Sequence, residues 1–151
     1  MLDVDLSREE ADAIYEVPKY VDSNAVSWEM TEGNSQRINI SLTTEDGTPL
    51  RIRGWYSWGG SMRYGFSLLF KNSIVIRRWD NKLGHKDPVT KSIAKGPHKH
   101  YHDPSYADSR CYETSDVRTG DVNGALFDFM KECHVSVEGI DYQALGEYHG
   151  V

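Results

Sequence analysis

The chain reads Gln36-Arg37-Ile38-Asn39-Ile40-Ser41-Leu42 in its first third, with polar and apolar side chains in strict alternation. Successive side chains of a strand point to opposite faces, so this stretch predicts a strand with one buried and one solvated face. Residues 50–55 repeat the alternation, and the Asp46-Gly47 pair between the two stretches is typical of a hairpin turn. The centre of the fold is therefore predicted to be an antiparallel sheet.

More strands are expected on both sides of this hairpin. Their predicted bounds are residues 25–30, 63–68 and 73–79. In the last of them, parity places Arg78 on one face and both Arg77 and Trp79 on the other. Parity alone does not decide which of these faces is buried.

The sequence after residue 80 is less regular. Residues 81–97 are predicted to be a loop, which is longer than most connections and therefore a candidate functional segment. Residues 98–102 are predicted to be a short strand, and residues 103–118 to be irregular and polar.

Two helices are predicted around the sheet. Residues 6–17 form the first, because Ser7 and Glu10 match a capping box that satisfies backbone donors at a helix start. Asp121 is predicted to be the N-cap residue of the second. Its apolar side chains recur on one helical face: Val122, Ala125, Leu126, Phe129, Met130 and Cys133.

These elements predict an α+β fold, in which an N-terminal helix and an amphipathic C-terminal helix pack on an antiparallel sheet of about five strands. A length of 151 residues fits a single domain over residues 1–151. The periodicities place seven apolar side chains in one core: Ile38, Ile40, Leu42, Ile52, Leu126, Phe129 and Met130.

Composition favours a cytoplasmic protein without a membrane span. No apolar run approaches the about 20 residues that cross a bilayer. The acidic N-terminus, residues 1–5, lacks the apolar region of a signal peptide. The two cysteines, Cys111 and Cys133, are too few for a disulfide framework and are expected to be reduced thiols.

Residues 77–102 contain four of the six histidines: His85, His98, His100 and His102. The last three alternate along a predicted strand, so their rings would project from one face at a spacing of roughly 6.5–7 Å. Imidazole is the commonest metal ligand, and three histidines with an open position make a catalytic zinc site. One interpretation is therefore a site for zinc or another divalent transition metal, held by His98, His100 and His102.

A second interpretation needs no cofactor and is acid–base cleavage of a phosphodiester of RNA. This chemistry requires a proton acceptor, a proton donor and a cation near the developing charge. The predicted catalytic residues are His85, His98, His100, Arg78 and Asp80. Arg78 would clamp the phosphate, and Asp80 would either fix a histidine tautomer or form a plain turn with Asn81. A third interpretation makes the histidines ordinary polar surface residues.

The charge distribution points to an anionic partner. Residues 1–50 carry 3 basic and 11 acidic side chains, residues 51–102 carry 11 and 2, and residues 103–151 carry 3 and 10. A basic middle of this kind is typical of nucleic-acid binding, although it also occurs as a simple solvated face. The predicted nucleic-acid-binding residues are Arg51, Arg53, Arg63, Arg77, Lys99 and Tyr101. A continuous positive surface facing the histidines is expected from Arg51, Arg53, Arg63, Arg78 and Lys99.

The stretch Arg78-Trp79-Asp80-Asn81, with His85 and Pro97-His98-Lys99-His100 after it, resembles the pattern R-[aromatic]-D-N…H…P-H-x-H of TumE-type toxins of prokaryotic toxin–antitoxin pairs. A related uncharacterised group of small prokaryotic proteins has a similar opening, residues 6–12, and a similar late helix. The chain departs from the pattern in a Lys-rich insert, residues 86–96, and in His102. The resemblance implies a small cytosolic toxin that acts on RNA or translation and is held by an antitoxin protein.

The expected function is thus that of a toxin-like protein that acts on RNA, with metal-independent endoribonuclease activity as the candidate reaction. The alternatives are a histidine-based metal-binding protein and a non-catalytic module that binds RNA or protein.

Overall fold

The computed structural model describes residues 6–31, 33, 35–58, 62–81 and 84–144. The helices are α1 (Arg8–Glu16) and α2 (Val122–Glu132). The strands are β1 (Lys19–Val21), β2 (Ala25–Ser27), β3 (Glu29–Met30), β4 (Ser35–Thr44), β5 (Pro49–Trp58), β6 (Met62–Phe70), β7 (Ile74–Asp80), β8 (His85–Lys86), β9 (Ile93–Ala94), β10 (His98–Asp103), β11 (Ala107–Glu113), β12 (Val135–Ser136) and β13 (Asp141–Gln143). The acidic N-terminus and both ends of the predicted domain lie outside the described residues.

Nine strands form one sheet in the order β11-β10-β7-β6-β5-β4-β1-β12, with β3 also paired to β4. The sheet is mixed, because β1 and β12 run parallel while the other pairs are antiparallel. Two smaller sheets join β13 to β2 and β8 to β9. The predicted α+β fold with an antiparallel sheet of about five strands is therefore wrong. The chain is mostly β, with a nine-stranded mixed sheet and two helices.

The additional strands lie where the sequence has no apolar alternation. Residues 103–118 are predicted to be irregular, yet β11 lies within them and forms a hairpin with β10. This strand is mostly polar because it is at the edge of the sheet, and Cys111 is its only buried side chain. The strands β1 and β12 have three and two residues, which is too short for periodicity to reveal them.

Both predicted helices are confirmed together with their N-terminal caps. The Glu10 amide donates to Ser7 Oγ at 3.0 Å, and the Ser7 amide donates to Glu10 Oε1 at 2.9 Å, which completes the capping box. Asp121 caps α2 by accepting from the Gly124 amide at 3.0 Å. No helix in the described part of the chain is long and apolar enough to cross a membrane.

The helices cover one face of the sheet, called the helix face below. The predicted core is confirmed, since all seven apolar side chains are buried in one cluster. Phe129 of α2 packs against Phe66 and Trp79, with ring centroids 5.9 and 5.4 Å away. A large apolar area is thereby removed from water, which is the main stabilisation of such a domain.

A buried lysine joins the C-terminal ends of the two helices. Lys19 Nζ donates to the carbonyls of Tyr15 and Val17 at 2.8 Å each, and to that of Cys133 at 2.6 Å. These carbonyls belong to helix ends, where backbone acceptors lack partners and a cation is favourable. Burial lowers the pKa of Lys19 to about 8. The bonds fix β1 beside both helices.

The opposite face, called the polar face below, carries the alternate residues of the same strands. One cross-strand row on it runs through Asn39, Arg53, Ser67, Arg78 and His100. Over β4 and β5 the face is exposed or half-buried. At β10 it is covered by the hairpin of β8 and β9, which places His85 against His98 and His100.

Candidate functional site

The strand β10 presents two histidines to the polar face. His98 lies opposite Asp80 in the ladder with β7, and His100 lies opposite Arg78. Both rings are buried, with 0% and 3% of the residue exposed. A buried imidazole needs partners for both ring nitrogens, so the surroundings of these atoms determine what the rings can do.

The third ring comes from the segment between β7 and β10. His85 Nδ1 lies 2.5 Å from His98 Nε2 and 3.0 Å from His100 Nε2. His85, predicted as a catalytic residue together with His98 and His100, thus lies against both of these rings. Their catalytic roles stay a prediction.

Backbone carbonyls set the tautomers of the two strand histidines. His98 Nδ1 lies 3.0 Å from the Gly96 carbonyl, and His100 Nδ1 lies 2.7 Å from the Asp108 carbonyl. A carbonyl only accepts, so Nδ1 carries the proton in both rings and Nε2 keeps a lone pair. Both lone pairs face His85 Nδ1, which can donate a hydrogen to only one of them.

The three histidines could hold a metal ion, because their ligand atoms lie within 4.8 Å of one another. Nitrogens around a tetrahedral zinc with bonds of about 2.0–2.1 Å are about 3.4 Å apart, so ring shifts of about 1 Å would accommodate the ion. Histidines that bind a metal usually donate their other ring N–H to a carbonyl or carboxylate, which orients the ring, and Nδ1 of His98 and His100 faces a carbonyl in this way.

His102 does not belong to this group, so the predicted ligand set of His98, His100 and His102 is wrong. Its Nε2 donates instead to the Leu6 carbonyl at 2.8 Å, just before α1. The ladder between β10 and β11 is irregular after Tyr101, which interrupts the alternation on which the prediction relied. The third histidine of the group is His85.

Arg78 lies between the histidines and an aspartate. Its Nη1 donates to Asp108 Oδ2 at 2.8 Å, and its Nη2 donates to His100 Nε2 at 3.0 Å. A cleft of about 190 Å³ opens beside these atoms, and Lys86 adds a second cation to its lining. The complete lining is Arg78, His85, Lys86, His100, Asp108 and Ser109.

His100 is held in its neutral form. Burial, and next the positive charge of Arg78, lower the pKa of His100 to about 3. A neutral imidazole is the form that binds a metal, whereas a histidine that donates a proton at neutral pH needs a pKa near 7.

Asp87 anchors the segment that supplies His85, and sequence reasoning did not identify it. Its Oδ1 accepts from Arg110 Nε at 2.9 Å and from the Cys111 amide at 3.0 Å. Its Oδ2 accepts from the amides of Val89 and Thr90 at 3.1 and 2.7 Å. Burial alone would raise the pKa of Asp87, but these hydrogen bonds hold it well below its usual range. The turn-forming pair Asp87-Pro88 is the one sequence signal that could have pointed to it.

Three residues predicted to bind nucleic acid lie on the helix face instead. Lys99 Nζ donates to Glu132 of α2 at 2.5 Å and to Asp116 at 2.9 Å. Although burial opposes its charge, these bonds raise the pKa of Lys99. Arg77 donates to Asp12 of α1 at 2.9 Å. Tyr101, next to Arg77 in the ladder, is contacted by the guanidinium of Arg8.

The prediction of a continuous positive surface that includes Lys99 is therefore wrong for this residue. Side chains alternate along a strand, so Lys99 points away from the face that receives His98 and His100.

The other predicted arginines lie on the polar face. Arg53 is in the row that leads to Arg78 and His100. Arg51 has the same parity and donates to Asn72 at 2.9 Å. Arg63 lies on this face two residues from Gly65, which pairs with Asp80. Asp80 is buried and lies opposite His98 in the ladder, where Nδ1 of His98 faces the Gly96 carbonyl. The role of Asp80 in fixing a histidine tautomer stays a prediction.

Comparison with known proteins gave one match. A protein-family model described as a family of unknown function, DUF6978, matches residues 6–135, which include both helices, the three histidines and the large sheet as far as the first residue of β12. No curated protein and no solved structure matched the chain. The match makes no connection with TumE-type toxins, so that resemblance stays a hypothesis. The chain belongs to the DUF6978 family.

Proposed function

We propose that the protein is a metal-dependent enzyme that cleaves a phosphodiester, with zinc or a similar divalent transition metal bound by His85, His98 and His100. The carrying observation is the convergence of three ring nitrogens, two of which are oriented by carbonyls behind the ring. When bound there, the ion would supply Lewis acidity and a water of lowered pKa.

The position of Arg78 supports an anionic substrate. Its Nη2 now donates to the lone pair of His100 that a metal would take. Metal binding therefore requires this donor to turn away, while the bond to Asp108 can keep the guanidinium beside the cleft. A released N–H next to the metal can bind a phosphate oxygen, for which guanidinium geometry is well suited.

Burial of the histidines supports ligand roles over direct proton transfer. His98 is completely buried, and His100 reaches the cleft with only 3% of the residue exposed, which restricts the direct contact of either ring with a substrate hydroxyl. A general acid or base must come within about 2.6–3.2 Å of the group whose proton it moves. A buried ligand has no such requirement, because only the open position of the ion must reach the substrate.

Metal content tests the proposal. Protein purified without a histidine tag is expected to hold about one equivalent of metal, and His85→Ala and His98→Ala are expected to lose it. Zinc at 100 times its Kd should raise the free energy of unfolding of the unchanged protein by about 2.7 kcal/mol and leave the variants unaffected. His134→Ala, on an exposed histidine at the end of α2, is the matched control. Equal metal loss in the control, or no metal in the unchanged protein, contradicts the proposal.

A metal-independent ribonuclease of the toxin type is the second candidate. The supporting observation is the 2.5 Å contact between His85 Nδ1 and His98 Nε2, which requires a shared proton when no ion lies between them. In this case cleavage of labelled RNA persists in a chelator, and growth inhibition on expression disappears in His98→Ala/His100→Ala. A small antitoxin protein should then co-purify with the chain. Cleavage that stops with the chelator and returns with zinc selects the metal-dependent enzyme.

A further inference from the structure

The open part of the polar face carries four arginines without an acidic side chain in the same strands. Arg37 lies on β4, Arg51 and Arg53 on β5, and Arg63 on β6. The sequences of these three strands contain no Asp or Glu, and the acidic Glu29 of β3 lies opposite Arg37 at the end of this surface away from the histidines. Because the helices lie on the other face, this charge faces solvent, with Arg37, Arg53 and Arg63 exposed and Arg51 half-buried.

The arginines are ordered with respect to the histidine site. In the row through Arg53, Ser67, Arg78 and His100, each residue pairs with the next on the neighbouring strand. Strands are about 4.8 Å apart, so Arg53 lies about 14 Å from His100, with Arg78 between them. A chain of phosphates bound along this row would end at the cleft beside Arg78.

An aromatic ring lies on the same surface. Trp55 is half-buried on β5, one row from Arg53, and its indole packs over Gly65. A side chain at Gly65 would not fit, because its Cβ would lie 2.7 Å from Trp55 Nε1. An aromatic ring on a sheet surface among arginines is the arrangement on which unpaired bases stack.

We propose that this surface, formed by Arg37, Arg51, Arg53, Trp55 and Arg63, binds single-stranded RNA and directs it to Arg78. The arginines bind the phosphates, and Trp55 stacks on a base. Asn39 and Ser67, which flank Arg53 in the row, offer hydrogen bonds to the 2′-hydroxyl that distinguishes RNA from DNA. The inference names the substrate class of the proposed enzyme. Binding of RNA does not depend on the proposed function, whereas cleavage of the bound RNA rests on it.

Binding is measured without metal, so that its failure is separate from failure of the metal site. The probe is a fluorescent single-stranded RNA of about a dozen nucleotides, within the site sizes known for sheet-based single-strand binders. Its anisotropy is followed in a chelator over a series of salt concentrations. The variant Arg51→Gln/Arg53→Gln should weaken binding about tenfold and reduce the salt slope by about 1.4, since each phosphate contact contributes about 0.7 on a single strand.

The matched control removes two charges from the helices. Arg8→Gln/Lys131→Gln changes net charge equally and should leave affinity and salt slope close to those of the unchanged protein. Trp55→Ala should weaken binding about tenfold with an unaltered salt slope, because stacking releases no counterions. Thermal melts establish that each variant is folded.

Four outcomes overturn the inference: no RNA binding, equal weakening by the control pair, equal affinity for DNA of the same sequence, or equal affinity for duplex RNA. RNA binding that survives in His98→Ala, together with lost metal, supports it. RNA binding by a protein that takes up no metal refutes the proposed function and leaves the inference standing.

Discussion

The strand β10 serves two different environments on its two sides. On the helix face, Lys99 lies over the Trp79 ring, and its charge is neutralised by Glu132 and Asp116. On the polar face, His98 and His100 direct lone pairs towards a third ring. The basic residue is thus structural and the neutral residues form the candidate site. Charge in the sequence identified the region, but the face of the strand determines what each side chain does.

Removal of a core ring should have the largest effect on the free energy of unfolding, and this effect should be confined to the helix face. Phe129→Ala should lower the free energy of unfolding by about 3–5 kcal/mol, because a fully buried ring leaves a cavity between α2 and the sheet. Urea denaturation measures this loss. Metal bound per folded molecule should be unchanged, and its loss would show that the two faces are coupled.

Asp87, which anchors the segment with His85 on the polar face, is expected to have the next largest effect. Asp87→Asn should cost about 2–3 kcal/mol in metal-free protein, less than the about 3–5 kcal/mol typical of a broken buried ion pair, because the amide keeps one acceptor oxygen. It should also reduce metal affinity, since the segment that holds His85 is no longer fixed.

The difference in unfolding free energy between the unchanged protein and Asp87→Asn should depend on pH. The folded-state pKa of Asp87 lies below its unfolded value, so its stabilisation is present above about pH 4 and is lost as the pH falls further. The stability difference between the unchanged metal-free protein and Asp87→Asn should therefore narrow as the pH is lowered from about 6 to about 3. A constant difference would mean that the charge of Asp87 is unimportant.

Lys99→Met directly compares the two sides of β10. It should reduce the free energy of unfolding by about 1–3 kcal/mol, because Glu132 loses its buried partner while Asp116 is largely exposed. Lys131→Met, on an exposed lysine of α2, controls for loss of charge. Metal content and RNA affinity should not change in either variant, and a loss of RNA affinity in Lys99→Met would restore its predicted role.

The smallest expected effect concerns Arg78. Arg78→Gln should raise the affinity for zinc about fivefold, since breaking the contact with His100 costs about 1 kcal/mol in the unchanged protein. The same change should lower cleavage of RNA, because the phosphate loses its cation. Competition with a zinc-binding dye measures the affinity, and a decrease would mean that Arg78 supports the ligands.

The sequence predicted features that depend on local repetition. Alternation at Ile38, Ile40 and Leu42 identified the core face, and the spacing around Phe129 identified α2. Strands without repetition were missed, among them β11, whose polar residues reflect its place at the edge. The candidate site was predicted in part, because clustered histidines are visible in the sequence. The sequence did not show that His85, and not His102, is the third histidine of the candidate metal site. That depends on the chain path after residue 80 and on the irregular ladder at Tyr101.

Asp87 also covers part of the free edge of the strand β11. Within the described residues β11 pairs with β10 on one side, and Asp87 occupies the outward amide of Cys111 on the other. Exposed strand edges invite pairing between molecules and aggregation. A change that detaches Asp87 therefore frees the segment that carries His85 and at the same time exposes the edge of β11 to pairing with other molecules. If the histidines hold a metal as proposed, its binding and the solubility of the protein would depend on the same four hydrogen bonds of one carboxylate.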